Sequence, residues 1–351
     1  MIPYYRLSKN NQNLKALEQV YLNGNWAIGN ETNELEKLLG KILKKKHIVF
    51  TSNGYSALFV SIKCLKLKNE KIILPAISTC FAMSNAIIST GNIPVFCDVN
   101  LEDGNCNIES VQQIVNDQNI NYLISPNHAG NISAISAFKK MGLTVIEDAC
   151  QSFFSSFEIE SEADIQVFSF YPTKGINGID GGVIATNNDE IAHKAKKLIY
   201  YNDQEEFAMD ERYNFRFLNI CAAMALSSIG HYEATINKLK PINIFYNNTI
   251  SNIEYIYVLQ NKISSILQRY VININDSFTE KILVELFKVN QIQLNKFFIW
   301  ICPETDKSNF IKANKLIQSS YCIPYYEDLK EDELLKIESA LNDVITKSNN
   351  K

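Results

Sequence analysis

Ser169-Phe170-Tyr171-Pro172-Thr173-Lys174 and, a short way upstream, Glu147-Asp148-Ala149-Cys150-Gln151 each follow a strongly apolar, strand-like run. Such junctions place polar side chains where a strand ends and a cleft can open. Together they supply a lysine, a carboxylate, a hydroxyl and an amide, a set suited to a flat, anionic, pyridine-based cofactor. Taken alone, a lysine near a strand end is a solvated surface residue, so the case for Lys174 depends on its company.

Working outward, apolar strands alternate with helical runs. His47-Ile48-Val49-Phe50-Thr51 is a strand, broken by Ser52-Asn53-Gly54 before a helix from Tyr55 to Leu67. Free backbone N–H groups and the positive end of a helix dipole meet at such a turn, which makes it a phosphate site in principle. Strands follow at Lys71 to Ala76, Ile93 to Val99, Tyr122 to Ser125 and Thr144 to Asp148, with helices at Cys80 to Ser89, Glu109 to Val115 and Ile132 to Met141. Spacers of this length predict crossover helices and a mainly parallel sheet covered on both faces. Ile165 to Phe170 and Gly182 to Thr186 have only a loop between them, which allows an antiparallel pair and hence a mixed sheet. Before this core, Asn13 to Leu22 and Glu31 to Leu43 read as two helices around the loop Gly24 to Gly29.

After it come helices at His193 to Ile199 and, past the connection Asp203 to Arg212, from Leu218 to Leu239. Pro241 is expected to interrupt the latter. Strands at Arg269 to Ile274 and Phe297 to Ile301, with helices at Glu280 to Val289, Phe310 to Gln318 and Glu331 to Ile345, predict a small C-terminal unit and a frayed tail, Lys347 to Lys351. The domains are placed at 1–240 and 241–351.

Length and composition set the outer limits. The 351 residues allow a large domain and a smaller one, and 34 basic against 38 acidic residues without a long basic run exclude nucleic acid as the expected partner. No stretch has the apolar length to cross a bilayer, and Met1-Ile2-Pro3-Tyr4-Tyr5-Arg6 lacks a secretion-signal pattern, so no membrane association and a cytoplasmic location are expected. Eight dispersed cysteines form no C-x-x-C pair and the four histidines are scattered, which predicts no metal site.

Several stretches in this order resemble the DegT/DnrJ/StrS family of pyridoxal-phosphate-dependent sugar aminotransferases. Trp26-Ala27-Ile28-Gly29 is similar to its W-x-x-G loop, and Thr51-Ser52-Asn53-Gly54-Tyr55-Ser56-Ala57-Leu58 to its S-N-G-T-x-A-L turn. Val145 to Gln151 resembles V-I-E-D-A-A-Q/H, Phe168 to Lys174 with Gly181-Gly182 resembles F-S-F-x-x-x-K followed by G-G, and Tyr213-Asn214-Phe215-Arg216 resembles Y-N-x-R. The match continues faintly through Arg269-Tyr270-Val271-Ile272.

The resemblance implies an α/β, PLP-dependent transferase fold type I: a large domain with a mainly parallel mixed seven-stranded sheet between helices, plus a smaller α/β C-terminal domain. It also implies a homodimer with shared active sites and pyridoxal 5′-phosphate as cofactor. Lys174 would form the Schiff base and carry the proton, and Asp148 would pair with the pyridine nitrogen. Gln151 would meet the ring's phenolic oxygen, or bond only to backbone. Ser169 with Gly54, Tyr55 and Ser56 would hold the phosphate, and Asn214 would reach it from the other subunit or simply cap a helix.

The chain departs from the pattern at Tyr55, where threonine is usual, and in one extra residue between Pro75 and Asn85. Phe81 is the candidate for stacking on the ring, with a core phenylalanine as the alternative. Pro126 to Gly130 resembles a shortened H-x-Y-G element in which His128 is read as structural. Cys150 is read as packing. The implied reaction moves an amino group, from glutamate, to a nucleotide-linked keto-sugar for a surface polysaccharide or glycoconjugate. The alternatives are a different carbonyl substrate, or a catalytically silent dimer that binds the cofactor or a sugar. Dehydratase relatives carry histidine in place of the lysine, and Lys174 argues against them.

Overall fold

The computed structural model describes residues 1–200, 211–260 and 267–348; positions 203–210 of the predicted connection and 349–351 of the expected frayed tail lie outside the described residues. The strands of the first two hundred residues are β1 (His47–Thr51), β2 (Lys71–Pro75), β3 (Ile77–Ser78), β4 (Ile93–Cys97), β5 (Tyr122–Pro126), β6 (Thr144–Asp148), β7 (Ile165–Ser169) and β8 (Gly182–Thr186). All but β3 form one sheet in the order β1-β8-β7-β6-β5-β2-β4. The strand β8 runs antiparallel to both β1 and β7, and the remaining neighbours are parallel. The sheet is mixed, as the short β7–β8 connection predicted, and has the seven strands that the family resemblance implies.

Helices α1 (Asn11–Asn23), α2 (Asn30–Leu43), α3 (Gly54–Cys64), α4 (Ala82–Ser89), α5 (Ile108–Gln118), α6 (Ile135–Lys140), α7 (Phe153–Ser156), α8 (Asp189–Ile199), α9 (Asn219–Gly230) and α10 (Tyr232–Ile250) complete this part. Alternate strand residues feed two cores, as the twofold period of a strand requires. Val49, Val167 and Ile184 pack with Leu58 and Ile62 of α3 on one face. Phe50, Phe168 and Val183 pack with Leu35 and Leu39 of α2 and Ala222 of α9 on the other. The helix predicted at Ile132 to Met141 starts later, at Ile135. Residues before it are drawn into the loop around buried Asn131 and Ser133, whose polar groups are bonded there.

The C-terminal part adds β9 (Ile256–Val258), β10 (Tyr270–Ile274), α11 (Ser277–Val289), β11 (Asn295–Lys296), β12 (Ile299–Trp300), α12 (Ile311–Ser319), β13 (Ser320–Ile323) and α13 (Glu331–Ser348). An antiparallel sheet has the order β11-β13-β10-β9. The strand expected at Phe297 to Ile301 reduces to Ile299–Trp300 and pairs with β3, stitching the two sheets' surroundings together. Asp98, just past β4, adds a second stitch: its carboxylate accepts the N–H groups of Lys312 (3.0 Å) and Ala313 (2.8 Å) and so caps α12.

Pro241 does not interrupt a helix. α10 passes through it, and the break falls earlier, at the His231 junction with α9. An interior proline costs about 3 kcal/mol. Ile236, Leu239, Ile242, Tyr246 and Ile250 lie on the buried side of α10, in the C-terminal core with Tyr270 and Leu283. At about 1.5–3 kcal/mol for each large apolar side chain, their burial outweighs the missing hydrogen bond.

Candidate active site

The site forms where β1, β6 and β7 end. Asn53 caps α3: its Oδ1 accepts from Ser56 N–H (2.8 Å) and from the Ser56 hydroxyl (3.0 Å). Gly54 and Tyr55 are the first two helical residues, and their N–H groups have no acceptor among the described residues. Ser56 is buried with its hydroxyl also shared with Ser52, so its donors are spent inside the turn. The phosphate donors that the turn can offer are therefore Gly54 and Tyr55 N–H, and Ser56 supports them.

Ser169, at the end of β7, is packed against this helix start. A Cβ on Gly54 would stand 2.9 Å from Ser169 Cβ and 3.3 Å from Cys150 Sγ, so only glycine lets the two chain segments approach this closely. The Ser169 hydroxyl accepts from Tyr171 N–H (3.3 Å) and keeps its own proton to donate. Asp148 ends β6 half-buried, with Oδ1 accepting from Cys150 N–H at 3.2 Å. Lys174 lies in the β7–β8 loop, its N–H bonded to Tyr171 O (2.8 Å), and its side chain enters no ion pair among the described residues.

Gly54, Tyr55, Asp148, Gln151, Ser169 and Lys174 all line one cavity of about 550 Å³. Gln151 is held across it, accepting from Ala129 N–H (2.9 Å) and donating to Thr79 Oγ1 (2.7 Å). A second cavity of about 600 Å³ carries Arg6, Lys9, His231 and Lys238, the last paired with Glu327 (3.6 Å) and Asp328 (3.7 Å) on the same wall. Thr173, Lys174, Gln268 and Arg269 belong to both walls, so the lysine stands at the boundary of two spaces.

Three predicted residues stand off this wall: Ser56, whose donors are spent inside the turn, Phe81 and Asn214. Phe81 is 51% exposed at the start of α4 and off the cavity wall, where Thr79, Cys80 and Ala82 stand instead. Asn214 is exposed, bridged to Tyr200, and outside the cavity of its own chain. His128 is on the wall but fully engaged, Nδ1 to Gly104 O (2.9 Å) and Nε2 to Ser78 Oγ (3.2 Å), with Phe298 edge-on. Burial, with the nearby Lys174 charge adding to it, pushes its pKa down to about 4, so the ring is neutral. Burial and the Asp148 carboxylate hold the Cys150 thiol well above the ordinary cysteine range, which makes it an unreactive packing group. Tyr5, Gln268 and Arg269 are wall residues that no motif in the sequence singles out. The faint Arg269-Tyr270-Val271-Ile272 match was the available signal.

Unspent N–H groups and the Ser169 hydroxyl at one end, the Asp148 carboxylate, and the Lys174 amine make a donor set that fits a phosphorylated pyridine aldehyde. Among the described residues no three histidine, cysteine or acidic side chains gather to hold a metal.

A model of the DegT/DnrJ/EryC1/StrS aminotransferase family matches residues 8–342. The chain belongs to that family. As a DegT/DnrJ/EryC1/StrS aminotransferase it is a transaminase that uses pyridoxal phosphate. Among its relatives is the UDP-4-amino-4,6-dideoxy-N-acetyl-beta-L-altrosamine transaminase of Campylobacter jejuni, 26% identical over 266 residues, which are 71% of this chain and 68% of that protein. The GDP-perosamine synthase of Vibrio cholerae is 23% identical over 350 residues, covering 94% and 89%. The crystal structure of NtdA from Bacillus subtilis with bound cofactor PMP has the same fold, with a TM-score of 0.88 at 21% identity over 98% of this chain and 84% of that one. Among the described residues no helix is long and apolar enough to cross a membrane.

Proposed function

We propose that this aminotransferase moves the amino group of glutamate to the keto group of a sugar carried on a nucleoside diphosphate, as a cytoplasmic homodimer, in making an amino sugar for a surface polysaccharide or glycoconjugate. The named relatives act on sugars carried on UDP or GDP, which supports that substrate class. The observation that carries the reading is the shared wall: Lys174 faces the Asp148 and Ser169 cavity and also the second, more polar one, which has room for a large acceptor.

Pyridoxal phosphate, when bound, supplies a carbonyl for the amino group and a ring that takes up the electron pair released at the substrate carbon. Gly54 and Tyr55 N–H and the Ser169 hydroxyl would hold its phosphate, with the α3 dipole favouring the charge. Asp148 would hold a proton at the pyridine nitrogen. Gln151, fixed between Ala129 and Thr79, would border the ring. Lys174 would hold the cofactor through its Nζ at the aldehyde end and, once released, would carry the proton to and from the substrate carbon. Asn214, exposed in its own chain, is free to serve the partner's phosphate site.

The test is spectroscopic. Purified protein with pyridoxal phosphate should absorb in the visible and bleach with glutamate. The bleached form should recover colour with one of the UDP-, dTDP- or GDP-linked keto-sugars. Normal turnover by Lys174→Ala would refute the assignment.

A further inference from the structure

Lys174 reaches its cavity from a loop, and four rotatable side-chain bonds do not by themselves aim an amine. The two carbonyls just before it are, however, held from outside the loop. Tyr5 Oη donates to Pro172 O at 3.1 Å. Gln268 Nε2 and Arg269 Nη2 both donate to Thr173 O, at 3.0 and 2.7 Å. The donors support one another: the Arg269 guanidinium lies 4.2 Å from the centre of the Tyr5 ring, and its Nη1 donates to Gln268 O at 3.0 Å. Gln268 N–H is tied to Ala129 O (2.8 Å), so the group is anchored to the loop that also positions Gln151.

Gln268 is only 7% exposed, and its Oε1 is buried with no donor among the described residues. A buried amide with one end unpaired costs stability that an apolar side chain of similar size would not. The contribution that offsets the cost is the bond to Thr173. A charged donor such as Arg269 makes the stronger kind of hydrogen bond, and its planar head engages two carbonyls at once.

We propose that Tyr5, Gln268 and Arg269 are positioning residues that clamp the Pro172 and Thr173 carbonyls and thereby set the reach of the Lys174 amine. This rests on the reading of Lys174 as the cofactor-bonding group. The clamp draws on the N-terminal segment and on the entry to β10, so the lysine is aimed by pieces of chain far from it in sequence. A misplacement of about 1 Å in a reacting group costs on the order of a hundredfold in rate.

The experiment compares Tyr5→Phe, Gln268→Leu and Arg269→Met with wild type as apoproteins. Hydrogen exchange of the 171–178 peptide, measured without cofactor, should quicken by roughly tenfold, the scale expected for one lost hydrogen bond to a charged group, while the β7 peptide is unchanged. Visible absorbance on adding pyridoxal phosphate should then develop more slowly by a similar factor, and Arg269→Lys should recover part of the loss. Tyr5→Phe removes a single hydroxyl and keeps the test valid if Arg269→Met does not fold. Unchanged exchange in all variants overturns the clamp. Faster exchange with an unchanged rate of colour development overturns the positioning role. Colour in Lys174→Ala overturns the lysine reading beneath it, and the exchange data report on the loop separately from that result.

Discussion

Replacing Gly182 by alanine puts a methyl group into the turn that holds the phosphate donors. Gly182 opens β8 and lies opposite both Thr51 of β1 and Ser169 of β7. Its Cβ would stand 2.2 Å from Asn53 O, 2.4 Å from Thr51 Oγ1 and 2.6 Å from Asn53 C. Contacts of a methyl carbon settle at about 3.5 Å, so the shortfall is about an ångström, and two of the three atoms are backbone. Overpacking typically costs about 1–3 kcal/mol, and a strand bonded on both sides gives least, which places this case near the top. Asn53 is also the residue displaced, and disturbing its cap of α3 adds about 1 kcal/mol. The apoprotein should therefore lose roughly 3–4 kcal/mol, a large part of the ~5–15 kcal/mol typical of folded domains. Urea unfolding followed by circular dichroism measures this. A titration with pyridoxal phosphate should show affinity reduced at least about tenfold, because Gly54 and Tyr55 move with Asn53. Gly230→Ala is the control: nothing lies within 4 Å of its Cβ, and it should gain up to about 1 kcal/mol in helix propensity. If Gly182→Ala matched wild type within about 0.5 kcal/mol and bound cofactor equally well, the steric argument would be wrong.

Asp98→Ala removes the cap of α12 and takes the carboxylate acceptor from three N–H groups, those of Lys312, Ala313 and Val99, so urea unfolding should show a loss of about 2–3 kcal/mol with little change in cofactor binding. His128 has a folded pKa of about 4, below the ~6.5 of the unfolded chain, so between those values only the unfolded state takes up the proton. Stability should be unaffected by this group above about pH 6.5 and fall by about 3 kcal/mol as pH drops to 4; His128→Gln should abolish that part of the slope. Asn53→Ala should cost about 1 kcal/mol of apoprotein stability and weaken pyridoxal phosphate binding; equal affinity would show that α3 needs no cap to offer its donors.

Elements with a strong period were legible. The alternation of β1 to β8 with their helices, and the single loop between β7 and β8, led to the mixed sheet without any tertiary information. Short pieces were not. β9, β11 and β13 hold two to four residues each, too few to show a period, and β13 follows α12 with no intervening loop. At Pro241 local propensity carries no trace of the buried face that α10 presents to the C-terminal core, and that face decides. Phe81 has the ring that stacking needs, but the backbone at the start of α4 leaves it exposed and puts Thr79 and Cys80 on the wall. Ser56 matched the motif, but its donors are spent on Asn53 and Ser52, a fact no spacing reveals.

What the sequence determined by itself was the chemistry of the strand ends: Asp148, Ser169 and Lys174 each sit a fixed few residues past an apolar run, and a parallel sheet must bring such ends to one edge. What only the tertiary structure decided was how those groups are held. Tyr5, Gln268 and Arg269 meet at Thr173 and Pro172 across more than ninety residues of chain, and Gly182 is pressed against Asn53 by the pairing of β8 with β1. Such contacts depend on where distant segments cross, and hydrophobic period carries no record of that.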